Sequence, residues 1–148
     1  MFKEIDTGMH TAEHLLNGTM VKLVGSDRCF SAHIEKKKSK CDYYLEQDPG
    51  EEKIKEVESK VNEIIKEDLP IKEEYISLKE AEQRFDLTRV PEATLDQEKI
   101  RIIKIGDYDA ATCNGPHANS TSELGEFKII SHSFQDGVLR IRYKLSSI

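Results

Sequence analysis

Long apolar runs are missing from these 148 residues. No stretch approaches the about 18 consecutive apolar residues that a membrane-spanning helix needs, so none is expected. The opening Met1-Phe2-Lys3-Glu4-Ile5-Asp6 lacks the charged-then-apolar order of a signal peptide, and the chain is expected to be cytoplasmic. Cysteine is scarce. Cys29, Cys41 and Cys113 are too few and too scattered for a disulfide framework. A hairpin would bring Cys29 and Cys41 together, but two reduced, partly buried thiols are the expectation for a cytosolic chain. An excess of positive charge is also absent. The net charge of -6 has the wrong sign for holding nucleic acid by bulk electrostatics, so any RNA contact must use local basic patches and a specific pocket. There is no internal repeat, low-complexity segment or domain boundary.

What is present describes a highly charged globule, 37% hydrophobic and 34% charged, long enough to bury a real core as one domain over residues 1–148. The pattern predicts an α+β fold, a mixed or antiparallel sheet packed with helices. Leu15, Leu16, Thr19, Met20 and Leu23 recur at helical spacing, which predicts a first helix over about Gly8 to Leu23. Asp6 or Thr7 is placed to cap it and Gly25 to end it. Cys29–Ile34 and Cys41–Leu45 read as a hairpin, with Lys36, Lys37, Lys38 and Lys40 in the connection. Those lysines form a solvated turn or, as the functional alternative, a phosphate contact. Glu51–Asp68 carries Ile54, Val57, Val61, Ile64 and Ile65 at helical spacing and reads as scaffold. A strand over Ile71–Leu78, a short helix over Lys79–Phe85 and an irregular connection over Asp86–Gln97 follow. Lys99–Ile105 is the densest run of β-branched residues and the strongest strand. Leu124–Ser131 and Val138–Leu145 form a final hairpin around Gln135-Asp136-Gly137. In its last strand Leu139, Ile141, Tyr143 and Leu145 share one face. Arg140, Arg142 and Lys144 share the other, a second candidate RNA patch.

The chemistry concentrates in two short stretches. His10-Thr11-Ala12-Glu13-His14 puts two imidazoles four residues apart, one above the other on a helix, which suits a single metal ion. Cys113-Asn114-Gly115-Pro116-His117 adds a thiolate and a third imidazole. His10, His14, Cys113 and His117 together make a tetrahedral zinc set. The strong strand at Lys99–Ile105 delivers the second stretch and gives it a rigid support. Asp107 and Asp109, just after that strand, are expected as turn residues, with assistance to a water as the functional alternative. His33 and His132 lie outside both stretches and are expected at the surface or in packing.

His-Thr-Ala-Glu-His-Leu-Leu-Asn-Gly at 10 to 18 resembles the first editing motif shared by alanyl- and threonyl-tRNA synthetases. Cys-Asn-Gly-Pro-His-Ala-Asn-Ser-Thr-Ser-Glu-Leu-Gly-Glu-Phe-Lys-Ile at 113 to 129 resembles the second, and its tail after the histidine makes the pairing specific. Length and element order are similar to the short, free-standing alanyl-tRNA editing proteins of the AlaX type. The barrel of longer relatives and the aminoacylation domain of synthetases are absent from these residues, so a separate editing domain that cannot charge tRNA is expected. The resemblance implies the editing-domain fold of those synthetases. It also implies a trans-acting, zinc-dependent deacylase that hydrolyses serine, with glycine as the further candidate, wrongly attached to the 3′ acceptor end of alanine tRNA.

Such a second sieve is physically sensible, because a pocket built for alanine cannot strongly exclude a slightly larger side chain bearing a hydroxyl. By position along the family pattern, Ser31 is the expected contact to the substrate hydroxyl, with Thr11 and Thr121 as weaker candidates. His10, His14, Cys113 and His117 would hold Zn2+ and, through it, act in catalysis. Four protein ligands describe a closed site, whereas catalytic zinc keeps a position open. Either one ligand, His117 first, is displaced, or zinc positions substrate without activating water. Two departures bear on the tRNA. Gly115-Pro116-His117 is worded like the threonyl-type motif, which raises deacylation of Ser-tRNA(Thr) as the alternative. Against that, threonyl-type sites carry an acid where this chain has Ala111. Glu13 stands where relatives are often apolar, either facing solvent or tuning His10 or His14. A zinc-stabilised RNA-binding module without catalysis and a hydrolase of a free aminoacyl compound are the readings from other classes.

Overall fold

Asp6 starts the first helix by accepting the Met9 N–H on Oδ1 at 2.9 Å, the side-chain cap that free N–H groups at a helix start require. The structure, a computed structural model, describes residues 6–85, 87, 90, 95 and 98–146. Helix α1 spans Thr7–Thr19 and runs on through a wider, π-type turn over Met20–Val24. Gly25, at a φ of 84°, takes the left-handed conformation that closes it. Nearly every residue from Met9 to Met20 is buried, because α1 has α2, β5 and β7 packed around it. The first of the two motif stretches therefore lies inside the molecule.

The remaining elements are β1 (Ser31–His33), β2 (Ser39–Tyr44), α2 (Glu51–Lys66), β3 (Ile71–Ser77), α3 (Leu78–Arg84), β4 (Lys99–Ile105), β5 (Asp109–Thr112), a 3-10 turn (Thr121–Leu124), β6 (Glu126–Gln135) and β7 (Val138–Ser146). They make the expected α+β fold, and every strand pairing among the described residues is antiparallel. One sheet has the order β1-β2-β7-β6 and the other β3-β4-β5. The inner face of the four-stranded sheet, carrying Cys41, Tyr43, Leu139, Ile141 and Tyr143, meets Met9, Leu15, Leu16 and Met20 of α1 and the apolar stripe of α2 in the main core. Each fully buried aliphatic side chain there is worth about 1.5–3 kcal/mol against exposure. A smaller cluster, Ala81, Ile100 and Ile102, joins α3 to the second sheet. No described helix is long and apolar enough to cross a membrane.

The structure departs from the sequence pattern at several places, each with a local cause. Strand β1 is shorter than expected because the Cys29 N–H turns away to Asn17 Oδ1 at 3.3 Å. Strand β5 was not expected at all. Asp109-Ala110-Ala111-Thr112 has little strand propensity, and its pairing with β4 decides its conformation. The 3-10 turn replaces the expected start of the last hairpin. Glu123 and Ser120 form a reciprocal cap there, with Glu123 Oε2 accepting the Ser120 N–H at 2.8 Å. Strand β6 runs on to Gln135 across a register shift between Ile129 and Ser131. The expected hairpin around Gln135-Asp136-Gly137 turns on Asp136 and Gly137, both at positive φ. Most of the irregular connection at 86–97 lies outside the described residues.

Candidate metal centre and the cleft beside it

His10, His14, Cys113 and His117 each offer one ligand atom, and these four atoms lie within 4.8 Å of one another. Cys113 Sγ stands 3.3 Å from His10 Nε2 and 3.4 Å from His117 Nε2. The His10 and His117 rings stack at 4.3 Å, and His14 meets both edge-on. The far nitrogens of two rings are tied down. His10 Nδ1 donates to the Pro116 carbonyl at 3.0 Å, and His117 Nδ1 lies 3.0 Å from Thr11 Oγ1. Those bonds turn both Nε2 atoms inward, the outer-shell arrangement that orients imidazole ligands. Three imidazoles and a thiol at this spacing fit a tetrahedral zinc ion.

Protonation favours the ligating form of each imidazole. Burial lowers the affinity of His10 for a proton, opposed by its bond to Pro116 and reinforced by Arg101. Burial holds His14 well below the usual histidine range, with the neighbouring His117 and Arg28 adding to it. His117 is pushed down to about 3, by burial first and then by His10 and Arg101. All three rings are neutral at pH 7 with lone pairs to share. Burial pushes the Cys113 thiol up, partly offset by the Gly115 N–H. A divalent ion at this position would reverse that and draw off the proton.

The turn that carries Cys113 and His117 has no regular structure, and other elements shape it. Arg101, on β4, donates Nη1 to the carbonyls of Cys113 at 3.0 Å and Gly115 at 2.8 Å, while its Nε reaches Glu73 at 2.7 Å. Thr11 Oγ1 accepts the Ala118 N–H at 3.1 Å. Gly115 lies flat against His10. A Cβ there would sit 2.3 Å from His10 Cε1, so only glycine fits.

A cleft of about 570 Å³ opens beside the centre, with His14 and Cys113 on its wall. Arg28, Arg84 and Arg101 line it, each paired with a carboxylate: Asp109, Glu80 and Glu73 respectively. Glu13 also stands on this wall, and so does Ser26, whose hydroxyl is buried without a hydrogen bond among the described residues.

Of the expected site residues, the structure brings together the four ligands and Thr11. It does not bring Ser31 or Thr121 to them. Ser31 is exposed on β1 opposite Asp42 and is not part of the cleft wall. Thr121 is buried, and its hydroxyl accepts the Leu69 N–H and bonds the Ile64 and Ile65 carbonyls. Asp109 is no exposed turn residue: its side chain is 5% exposed, and Arg28 grips it. The expected basic face of β7 is real but partly neutralised. Arg140 pairs with Asp42, while Arg142 lies across from Lys40 and Lys144 across from Lys128. His33 and His132 are exposed, as expected. Arg28, Arg101 and Gly115 were missed as site residues, and Asp109, read as a turn residue with assistance to a water as the alternative, lies instead in β5 in the grip of Arg28. Only Arg101 left a trace, a cation among isoleucines in the strongest strand.

Residues 100–142, which run from β4 through the liganding turn into β7, match the family model described as threonyl and alanyl tRNA synthetase second additional domain. The chain is also similar to alanine–tRNA ligases. It is 35% identical over 136 residues to that of Archaeoglobus fulgidus, covering 90% of this chain and 15% of the ligase. It is 33% identical over 141 residues to that of Staphylothermus marinus, covering 93% and 15%. With that of Methanococcus maripaludis strain C7 it shares 29% over 136 residues, covering 90% and 15%. The chain thus spans about 15% of the length of the curated relatives it matches.

Proposed function

We propose that the chain is an aminoacyl-tRNA hydrolase of the family of the threonyl and alanyl tRNA synthetase second additional domain, whose model its residues 100–142 match. It removes serine, and glycine where that is attached, from the 3′ end of alanine tRNA, and its 148 residues act as one editing unit. The observation that carries this reading is the convergence of His10, His14, Cys113 and His117 on the wall of a cleft. Similarity to alanine–tRNA ligases over nine-tenths of the chain supports alanine rather than threonine as the tRNA, as does Ala111 in place of an acid.

The reaction adds water to the ester carbonyl and breaks its bond to the terminal ribose oxygen, which takes up a proton; free serine and intact tRNA result. Zn2+ held by the four residues would supply a Lewis acid beside the ester, for polarising a bound oxygen or fixing the substrate amine. The chain's own residues do the rest. His14 and Cys113 lie on the cleft wall, which gives substrate a path to the centre. The grip of Thr11 on His117 supports a centre whose ligands stay in place and which positions substrate. Arg28, Arg84 and Arg101 line the cleft already paired with Asp109, Glu80 and Glu73, so a nucleotide phosphate bound there would exchange places with a carboxylate. Thr11 lies nearest the centre, but its hydroxyl is buried and committed to His117 and Ala118, so it supports a ligand and does not reach the cleft. Ser31 stays the candidate drawn from the family pattern alone.

The test is deacylation of Ser-tRNA(Ala), with Ser-tRNA(Thr) and Ala-tRNA(Ala) alongside and Cys113→Ala as control. Release from the first alone, lost in the variant, is expected. Release only from the threonine tRNA would transfer the assignment to that substrate, and no release with zinc bound would leave a binding module.

A further inference from the structure

Asp109 has one firm partner and one near miss. Arg28 donates Nη1 to Oδ1 at 2.8 Å and Nη2 to Oδ2 at 3.1 Å. The same Oδ2 lies 3.9 Å from His14 Nδ1, the ring nitrogen left buried and unbonded among the described residues. Both side chains are almost wholly enclosed, His14 at 4% and Asp109 at 5% exposure. In such surroundings a lone pair facing a carboxylate is repelled and an N–H facing it is attracted, with little water to screen either. The pair therefore favours the tautomer with its proton on Nδ1. A shift of about 1 Å would close the gap to hydrogen-bond distance.

The position of Asp109 is fixed from a second side. Gly18 follows His14 by one helical turn and so lies on the same face of α1. A Cβ at Gly18 would stand 2.8 Å from Asp109 Oδ1 and 3.1 Å from its Cγ. The carboxylate reaches His14 because residue 18 has no side chain. Strand β5, helix α1 and the segment after Gly25 thus each contribute one part: Asp109, the His14–Gly18 face, and Arg28.

We propose that Asp109 is a positioning residue of the candidate metal centre: it holds the His14 proton on Nδ1 and so presents Nε2 to His10, Cys113 and His117. Arg28 and Gly18 keep Asp109 in register. The inference rests on the metal-centre reading above, but its geometry exists without an ion, and so does its test.

The experiment uses the full chain at about pH 8, first free of metal. Long-range proton–nitrogen NMR correlations of the histidine side chains report which nitrogen of His14 carries the proton. The native chain is expected in the Nδ1–H form, with Asp109→Asn shifting a large share to Nε2–H. Zinc affinity, measured by competition with a chromophoric chelator, is expected to fall about 10–100-fold in that variant. Gly18→Ala, which moves the carboxylate and leaves its charge, is expected to do the same and serves if Asp109→Asn fails to fold. Arg28→Met shows what losing the ion pair costs in melting temperature. If Asp109→Asn and Gly18→Ala lower only the melting temperature, with the His14 tautomer and zinc affinity unchanged, Asp109 is a structural partner of Arg28 and the proposal fails. A native chain that binds no zinc would overturn the metal reading, and the tautomer comparison would still decide the role of Asp109.

Discussion

Gly115 and His10 show how little tolerance the centre has. The ring of His10 occupies the space where any other residue at 115 would put its first carbon, and the Pro116 carbonyl fixes the ring's rotation. Gly115→Ala is therefore expected to displace a ligand while sparing the core. Zinc affinity should fall at least tenfold, about 1.4 kcal/mol, in chelator competition, with an unchanged far-UV circular dichroism spectrum. The four ligands were legible in the sequence because imidazole and thiol carry their chemistry wherever they stand, and helical spacing puts two of them on one face. Gly18, Arg101 and the steric role of Gly115 were not. Each matters through a neighbour from a distant part of the chain, and nothing in a local window distinguishes such a glycine or arginine from an ordinary one.

Among the elements, the junction of β2 and β7 couples folding to pH. Asp42 is buried and receives Nε and Nη2 of Arg140 at 2.8 and 3.0 Å. Those bonds hold its carboxyl below the usual aspartate range, against the opposing effect of burial. A carboxyl depressed by folding stabilises the native state above its unfolded value and loses that contribution as pH falls through the folded one. Asp42→Asn is expected to cost on the order of 1 kcal/mol at pH 7, since Arg140 is partly solvated. Urea titrations should show the gap to native protein closing as pH drops below about 4. At this scale the sequence was informative where one period dominated. The apolar stripe of α2, the alternation in β7 and the β-branched run of β4 each formed as their patterns implied. Strand β5 was invisible because a neighbour's hydrogen bonds, not its own side chains, make it a strand.

For the whole molecule, the stability that a metal would contribute is separate from the stability of the fold. The main core joins α1, α2 and the four-stranded sheet, and none of its buried members is a ligand. Arg101 and Thr11 hold the liganding turn whether or not an ion is bound. Chelation is thus expected to leave the chain folded. Zinc at 100 times its Kd adds about 2.7 kcal/mol, which corresponds to a melting temperature about 5–11 °C higher for a chain of this length. Calorimetry with and without chelator measures this difference. Unfolding on chelation would identify a structural ion and count against the deacylase. The cations that matter line one cleft and one strand face, and several are already paired.

The dependence of the turn from Cys113 to Ser120 on Arg101 and Thr11 also bears on how far this centre can travel. The segment holds two of the four ligands, yet its shape is lent to it by a strand below and a helix alongside. Excised as a peptide, it would lack the cation that gathers its carbonyls and the hydroxyl that anchors His117. Grafted onto another scaffold, it would need that arginine and that threonine at matching depth. The centre is a property of three separated segments meeting, and no one of them is a portable cassette.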